Sequence, residues 1–112
     1  MKRVEAIIRI EKLGEALRAL EKVGYAGVMV TEIQGHGKQK GVVQQWRGEK
    51  YKVDLLPKMK LEIICPDGEA MKIADAISAV AKTGEMGDGK IFISPVEYCQ
   101  RIRTGETGEA AL

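Results

Sequence analysis

One histidine, two cysteines and five aromatic residues are all that 112 residues hold of those types, and each scarcity removes a class of function. His36 has no second imidazole with which to share a metal, and it reads as a surface or loop residue rather than a ligand or base. Cys65 and Cys99 lack C-x-x-C spacing and neighbouring histidines, so they read as buried, reduced thiols of a cytosolic protein. With so few aromatics the core must come from Ile, Val, Leu, Met and Ala. No apolar run approaches the ~18 residues of a membrane span. Lys2-Arg3 leads straight into Val4-Glu5 with no hydrophobic region behind it, so no secretory leader is expected. A net charge of +2 gives no general reason to expect nucleic acid. Asp54, Asp67 and Asp88 form no obvious acid–base pair, and no motif supports hydrolysis or covalent catalysis. An enzyme is not expected.

What the chain does contain is regular alternation. At 45% hydrophobic and 30% charged residues, 112 residues make one small domain spanning 1–112. Val4, Ala6, Ile8 and Ile10 alternate as a strand. Leu13, Ala16, Leu17, Leu20 and Val23 then follow helical spacing, stopped by Gly24. Residues 28–33 are β-rich. The order then recurs: Met59, Leu61, Ile63 and Cys65 alternate, Pro66-Asp67-Gly68 turns, and Ala70, Ile73, Ala74, Ile77, Val80 and Ala81 form a helical stripe. Ile91 to Ile93 is the returning strand, closed by Pro95. Two βαβ units predict an α+β, ferredoxin-like double βαβ sandwich, with a four-stranded antiparallel sheet and two helices on one face. Ile7 and Ile64 point away from their apolar neighbours, so the uncovered face is partly apolar, and we expect a homo-oligomer with sheet faces turned inward.

The connections hold the polar chemistry. Residues 37–57 are too long and too hydrophilic for an ordinary loop of ~4–6 residues. Residues 82–90, Lys-Thr-Gly-Glu-Met-Gly-Asp-Gly-Lys, place three glycines and a lysine between a helix and a strand. Glycines at 84, 87 and 89 can adopt positive φ and bring bare N–H groups to an anion. The run fits G-x-x-x-x-G-K, yet Ile91 stands where a Walker loop needs Ser or Thr. Two readings fit it: a tight connection, or a phosphate cradle that is not a P-loop. Asp88 would shape the turn. Further cations lie at the ends of the units, in residues 35–41, at Lys58 and at Arg101-Ile102-Arg103. In an extended chain that last alternation puts both guanidiniums on one side. Such a set fits a triphosphate; scattered, solvated basic residues are the alternative. Trp46, Arg47 and Tyr51 offer two aromatics beside a cation, the types that anchor interfaces, though Trp46 could equally pack on the body. The tail from Thr104 to Leu112 reads as flexible.

Four stretches together resemble one family. Gly37-Lys38-Gln39-Lys40-Gly41, Arg47-Gly48-x-x-Tyr51-x-Val53-Asp54-x-Leu56-Pro57-Lys58, Thr83-Gly84-x-x-Gly87-Asp88-Gly89-Lys90-Ile91-Phe92 and Arg101-Ile102-Arg103-Thr104-Gly105-Glu106 are similar to the nitrogen-regulatory PII signal-transduction proteins, in spacing and over the full length. The resemblance implies a homotrimer of ferredoxin-like subunits that binds ATP or ADP between neighbours. It implies a T-loop over residues 37–55, a nucleotide-binding B-loop over 82–90 and a C-terminal loop over 100–112. Nucleotide would be held by Gly35, Gly37, Lys38, Gln39, Thr83, Gly87, Asp88, Gly89, Lys90, Arg101 and Arg103. Gln39 would coordinate magnesium on the phosphates, and 2-oxoglutarate would be held by Lys58 with Gln39 and Gly41. Trp46 and Arg47 would contact a partner, an ammonium transporter or a nitrogen-assimilation enzyme such as glutamine synthetase, which would bring a cytoplasmic protein to the membrane only through the transporter. Tyr51 matches a residue uridylylated in many members. A small phosphotransfer trimer and a metal-tolerance trimer are the alternatives. Lys38 stands where the family usually has arginine and lacks that fork of donors. His36 and Trp46 also depart from the usual residues, and Glu49 replaces a serine.

Overall fold

Strand β1 spans Lys2–Ile8, helix α1 Leu13–Lys22, β2 Met29–His36, β3 Val42–Trp46, β4 Glu49–Val53, β5 Leu55–Cys65, helix α2 Ala70–Ala81 and β6 Lys90–Pro95. The computed structural model describes the backbone of residues 1–36, 42–46, 49–53 and 55–112, and the side chains of 1–35 and 55–112. The main sheet is antiparallel in the order β2-β5-β1-β6, so the first and third strands of the double βαβ repeat lie side by side at its centre. This is the ferredoxin-like sandwich that the two recurring units predict.

The helices cover one face because every second residue of the central strands is apolar. Val4, Ala6 and Ile8 from β1, and Leu61, Ile63 and Cys65 from β5, are buried against Ala16 and Leu20 of α1 and Ile73 and Ile77 of α2. Cross-strand partners share a face, and the register sets Val4 opposite Ile63 and Ala6 opposite Leu61. A one-residue slip would turn this whole set to solvent. Each fully buried Ile or Leu contributes about 1.5–3 kcal/mol. Helix α1 stops where expected: Gly24 takes φ +93 and donates its N–H to the Glu21 carbonyl.

The opposite face is partly apolar. Ile7, Ile64 and Phe92 share it with Arg3, Glu5, Lys60 and Glu62; Arg3–Glu62 and Lys60–Glu5 pair across strands at 3.7 and 3.5 Å, and Lys60–Glu62 pairs along β5 at 3.5 Å. Arg3 Nε is buried without a hydrogen-bond partner among the described residues.

Three connections differ from the sequence reading. Residues 37–57 contain the β3–β4 hairpin, with Val42 opposite Val53, and β5 begins at Leu55, four residues before Met59. The tail from Thr104 is folded, not loose. Gln100 bridges Thr107, Gly108–Ala111 makes a 3-10 turn, and Gly108 N–H donates to the Cys99 carbonyl. Arg101 and Arg103 consequently sit at a turn, with Gly105 N–H reaching back to the Arg101 carbonyl, and the extended geometry expected of them does not form. Cys99 is half-buried, unlike the fully buried Cys65; both are free thiols.

Candidate functional site

The loop between α2 and β6 is built around one carboxylate. Asp88 accepts hydrogen bonds from Thr83 N–H at 2.8 Å, from Gly84 N–H at 2.9 Å and from the Thr83 hydroxyl. Glu85 N–H donates to Thr83 Oγ1 at 3.1 Å. The Thr83 hydroxyl and the N–H donors aimed at Asp88 hold its carboxyl far below the usual carboxylate range, helped by Arg9. Gly84, Gly87 and Gly89 sit at φ +90, +96 and +101, so all three glycines take the left-handed region. The expected role of Asp88 in shaping the turn is what the geometry contains. Its consequence is that the amides of Thr83 and Gly84 face inward, toward the Asp88 carboxylate.

Gly89 fixes the loop to the sheet. A Cβ on it would lie 1.7 Å from the Ile7 carbonyl oxygen, inside the backbone of β1. Only glycine lets the loop approach that closely. The loop thereby opens on a cleft of about 280 Å³ that includes buried Ile8, Ile77 and Ala81 and exposed Lys82 and Lys90.

Two cations reach the loop from the sheet. Lys58, on β5, is 8% exposed and donates from Nζ to the Gly87 carbonyl at 2.6 Å. Burial, and after it the Arg9 charge, lower its pKa below the ordinary lysine value, partly offset by Glu11 and Asp88. Its stem crosses β2 at Gly35, where a Cβ would come within 3.1 Å of Lys58 Cγ. Arg9, just beyond β1, donates from Nε to Asp88 at 3.1 Å and from Nη2 to the Met86 carbonyl at 2.7 Å. The sequence reading missed Arg9. Its partners lie 77 and 79 residues away, and the only local signal was a cation ending an apolar strand beside a βα turn.

Of the residues the sequence nominated, the structure brings together Gly35, Lys58, Thr83, Gly87, Asp88 and Gly89, with Lys90 opening β6. Arg101 does not join them within the chain. Its guanidinium pairs with Glu106 and its Nη2 lies 3.4 and 3.5 Å from the carbonyls of Ala110 and Leu112. Arg103 is exposed beside it. Gly37, Lys38, Gln39, Gly41 and Arg47 lie outside the described residues, and Trp46 and Tyr51 fall in β3 and β4 with only their backbone described. Among the described residues no three of His, Cys, Asp and Glu cluster as metal ligands. Among the described residues no helix is long and apolar enough to cross a membrane.

A family model described as "Nitrogen regulatory protein P-II" matches residues 1–106. The protein of that name from Rhizobium meliloti is 51% identical over 112 residues, covering the whole of both chains. That from Cereibacter sphaeroides is 50% identical over the same full span. "Nitrogen regulatory protein P-II 2" of Methanothermobacter thermautotrophicus is 49% identical over all of this chain and 97% of its own length.

Proposed function

The chain belongs to the nitrogen regulatory protein P-II family, and on that premise we propose that it is a non-enzymatic sensor of adenine nucleotide and 2-oxoglutarate, acting as a homotrimer. ATP or ADP lies between neighbouring subunits. Gly35, Thr83 and the Gly87–Lys90 stretch come from one subunit, and Arg101 and Arg103 from the C-terminal hairpin of another. Gly37 and Lys38 add to the phosphate contacts, and Gln39 supplies a neutral oxygen to magnesium that arrives with the phosphates, keeping the hard-oxygen shell this ion prefers. Lys58 pairs with a carboxylate of 2-oxoglutarate, with Gln39 and Gly41 beside it.

One observation carries this reading: the buried ammonium of Lys58 is bonded to the carbonyl of Gly87, inside the same loop that presents the glycines. A dicarboxylate that engages this ammonium would therefore also act on the Gly87 carbonyl, which links the effector to the glycine loop. Segment 37–55 joins β2, which carries Gly35, to β5, which carries Lys58, so a ligand at its two roots biases what lies between. Partner proteins, an ammonium transporter or a nitrogen-assimilation enzyme, would read that segment through Trp46 and Arg47. Uridylylation at Tyr51 would add a second input. The protein would then work in the cytoplasm and meet the membrane only through a transporter.

Calorimetry tests it. ATP is expected to bind at micromolar concentration, about 8 kcal/mol, and 2-oxoglutarate to bind only when ATP and magnesium are present. Absence of any adenine-nucleotide binding would reject the proposal. Unchanged 2-oxoglutarate affinity in Lys58→Ala would reject the assignment of Lys58 alone.

A further inference from the structure

Arg101 and Arg103 stand two residues apart in one hairpin, yet their surroundings differ. The Arg103 side chain is exposed and meets no hydrogen-bond or ion-pair partner among the described residues. Arg101, a little over a third exposed, faces oxygens of its own hairpin. Nη1 pairs with the Glu106 carboxylate, and Nη2 faces the carbonyls of Ala110 and Leu112 at 3.4 and 3.5 Å. The backbone reinforces the pair, since Arg101 N–H donates to the Glu106 carbonyl at 2.9 Å. Thr104 Oγ1 donates to the same carboxylate oxygen, Glu106 Oε1, at 2.9 Å. Glu106 is thus held against the guanidinium by a built turn, not by chance proximity of two long side chains.

We propose that Glu106 is an intramolecular competitor for Arg101, a specificity- and affinity-setting residue that mimics a phosphate at the nucleotide site. The inference rests on the nucleotide reading above. A guanidinium recognises phosphate best through two parallel N–H groups. In Arg101 both terminal nitrogens already face acceptors of the chain. A phosphate must either displace the Glu106 carboxylate or share the guanidinium with it. Displacement sacrifices a charge-assisted pair, and sharing sets two anions within a few ångström of each other. Both routes make the Glu106 charge oppose phosphate binding, while Arg103 is ready for it. The net effect is a nucleotide affinity held below what the two arginines could give, which suits a sensor that must release its ligand as concentrations change.

The test is a double-mutant cycle on the whole chain, read by calorimetry with ATP and magnesium. Glu106→Gln keeps the shape and the Thr104 contact but removes the charge, and it is expected to tighten ATP by about threefold or more. The same substitution in an Arg101→Gln background is expected to tighten ATP by less than in the parent, because the competed-for group is gone and only anion–anion repulsion remains. Thermal melts establish that each variant is folded; Glu106→Asp, which keeps the charge, replaces Glu106→Gln as a control showing no tightening. Weaker or equal ATP binding by Glu106→Gln would overturn the inference, as would tightening that persists undiminished without Arg101. Failure of the unsubstituted protein to bind ATP would instead strike the nucleotide reading.

Discussion

Lys58 Nζ stands 2.6 Å from the Gly87 carbonyl oxygen, so a cation buried in the sheet is held by a neutral acceptor in the glycine loop. That arrangement costs stability, because burial and the nearby Arg9 lower the pKa of the ammonium. The sign follows from proton linkage. Between the lowered folded value and the ordinary value near 10.4, the unfolded chain binds more protons, so stability from this residue rises with pH. Lys58→Met is therefore expected to unfold within about 1 kcal/mol of the parent at neutral pH, while losing 2-oxoglutarate binding. Urea unfolding of both proteins between about pH 7 and about pH 10 checks it: the parent should gain on the variant as pH rises.

Gly89→Ala is expected to be among the most damaging single changes outside the core. Its new methyl would lie 1.7 Å from the Ile7 carbonyl oxygen, and φ +101 is itself unfavourable for alanine. Either the loop leaves β1 or the strand end shifts, with a loss of about 2–4 kcal/mol. Denaturant unfolding measures the loss. Gly84→Ala, whose Cβ would meet nothing within 4 Å, suffers the φ penalty alone and serves as the comparison.

Asp88 sets the acid limit of the loop. Its carboxyl titrates far below the usual range in the folded protein, so its contribution is complete above the unfolded value near 3.9 and is lost as pH falls below it. Amide exchange of Thr83 and Gly84 should stay protected at mildly acid pH and open only in stronger acid. In Asp88→Asn these amides keep one neutral acceptor oxygen in place of an anion, and they should exchange faster at neutral pH. Equal protection in that variant would contradict the loop's dependence on the charge.

Arg9→Gln tests the second cation. Loss of its bonds to Asp88 and the Met86 carbonyl should cost about 1–3 kcal/mol and loosen residues 83–88 while leaving the sheet intact. Hydrogen exchange resolved by residue separates the two regions. Uniform loss of protection would mean that Arg9 supports the fold at large.

Periodicity made most of the fold legible. The alternation at Val4, Ala6 and Ile8 and at Leu61, Ile63 and Cys65, and the helical stripe through Ile73 and Ile77, reflect burial on one face, which acts on every second or every third to fourth residue. Asp88 was legible as a turn former because its partners Thr83 and Gly84 are five and four residues away. The β3–β4 hairpin was not, since the doublets Val42-Val43 and Gln44-Gln45 break the alternation that a half-buried strand leaves. The folded tail escaped for a related reason. Small and acidic residues there read as loose, while order comes from Arg101, a residue the sequence assigned to a ligand. Arg9 was invisible because nothing in its neighbourhood points to a loop at the far end of the chain.

The uncovered sheet face carries a last consequence. Arg3, Glu5, Lys60 and Glu62 form a fixed checkerboard of opposite signs between Ile7, Ile64 and Phe92. Grease alone would accept almost any apolar neighbour, whereas this pattern rejects one whose signs fall out of step. Were subunits to meet through this face, two related copies of such a protein in one cell would be sorted by those few positions, and exchanging Glu62 with Lys60 is the smallest edit that would rewrite the pairing rule.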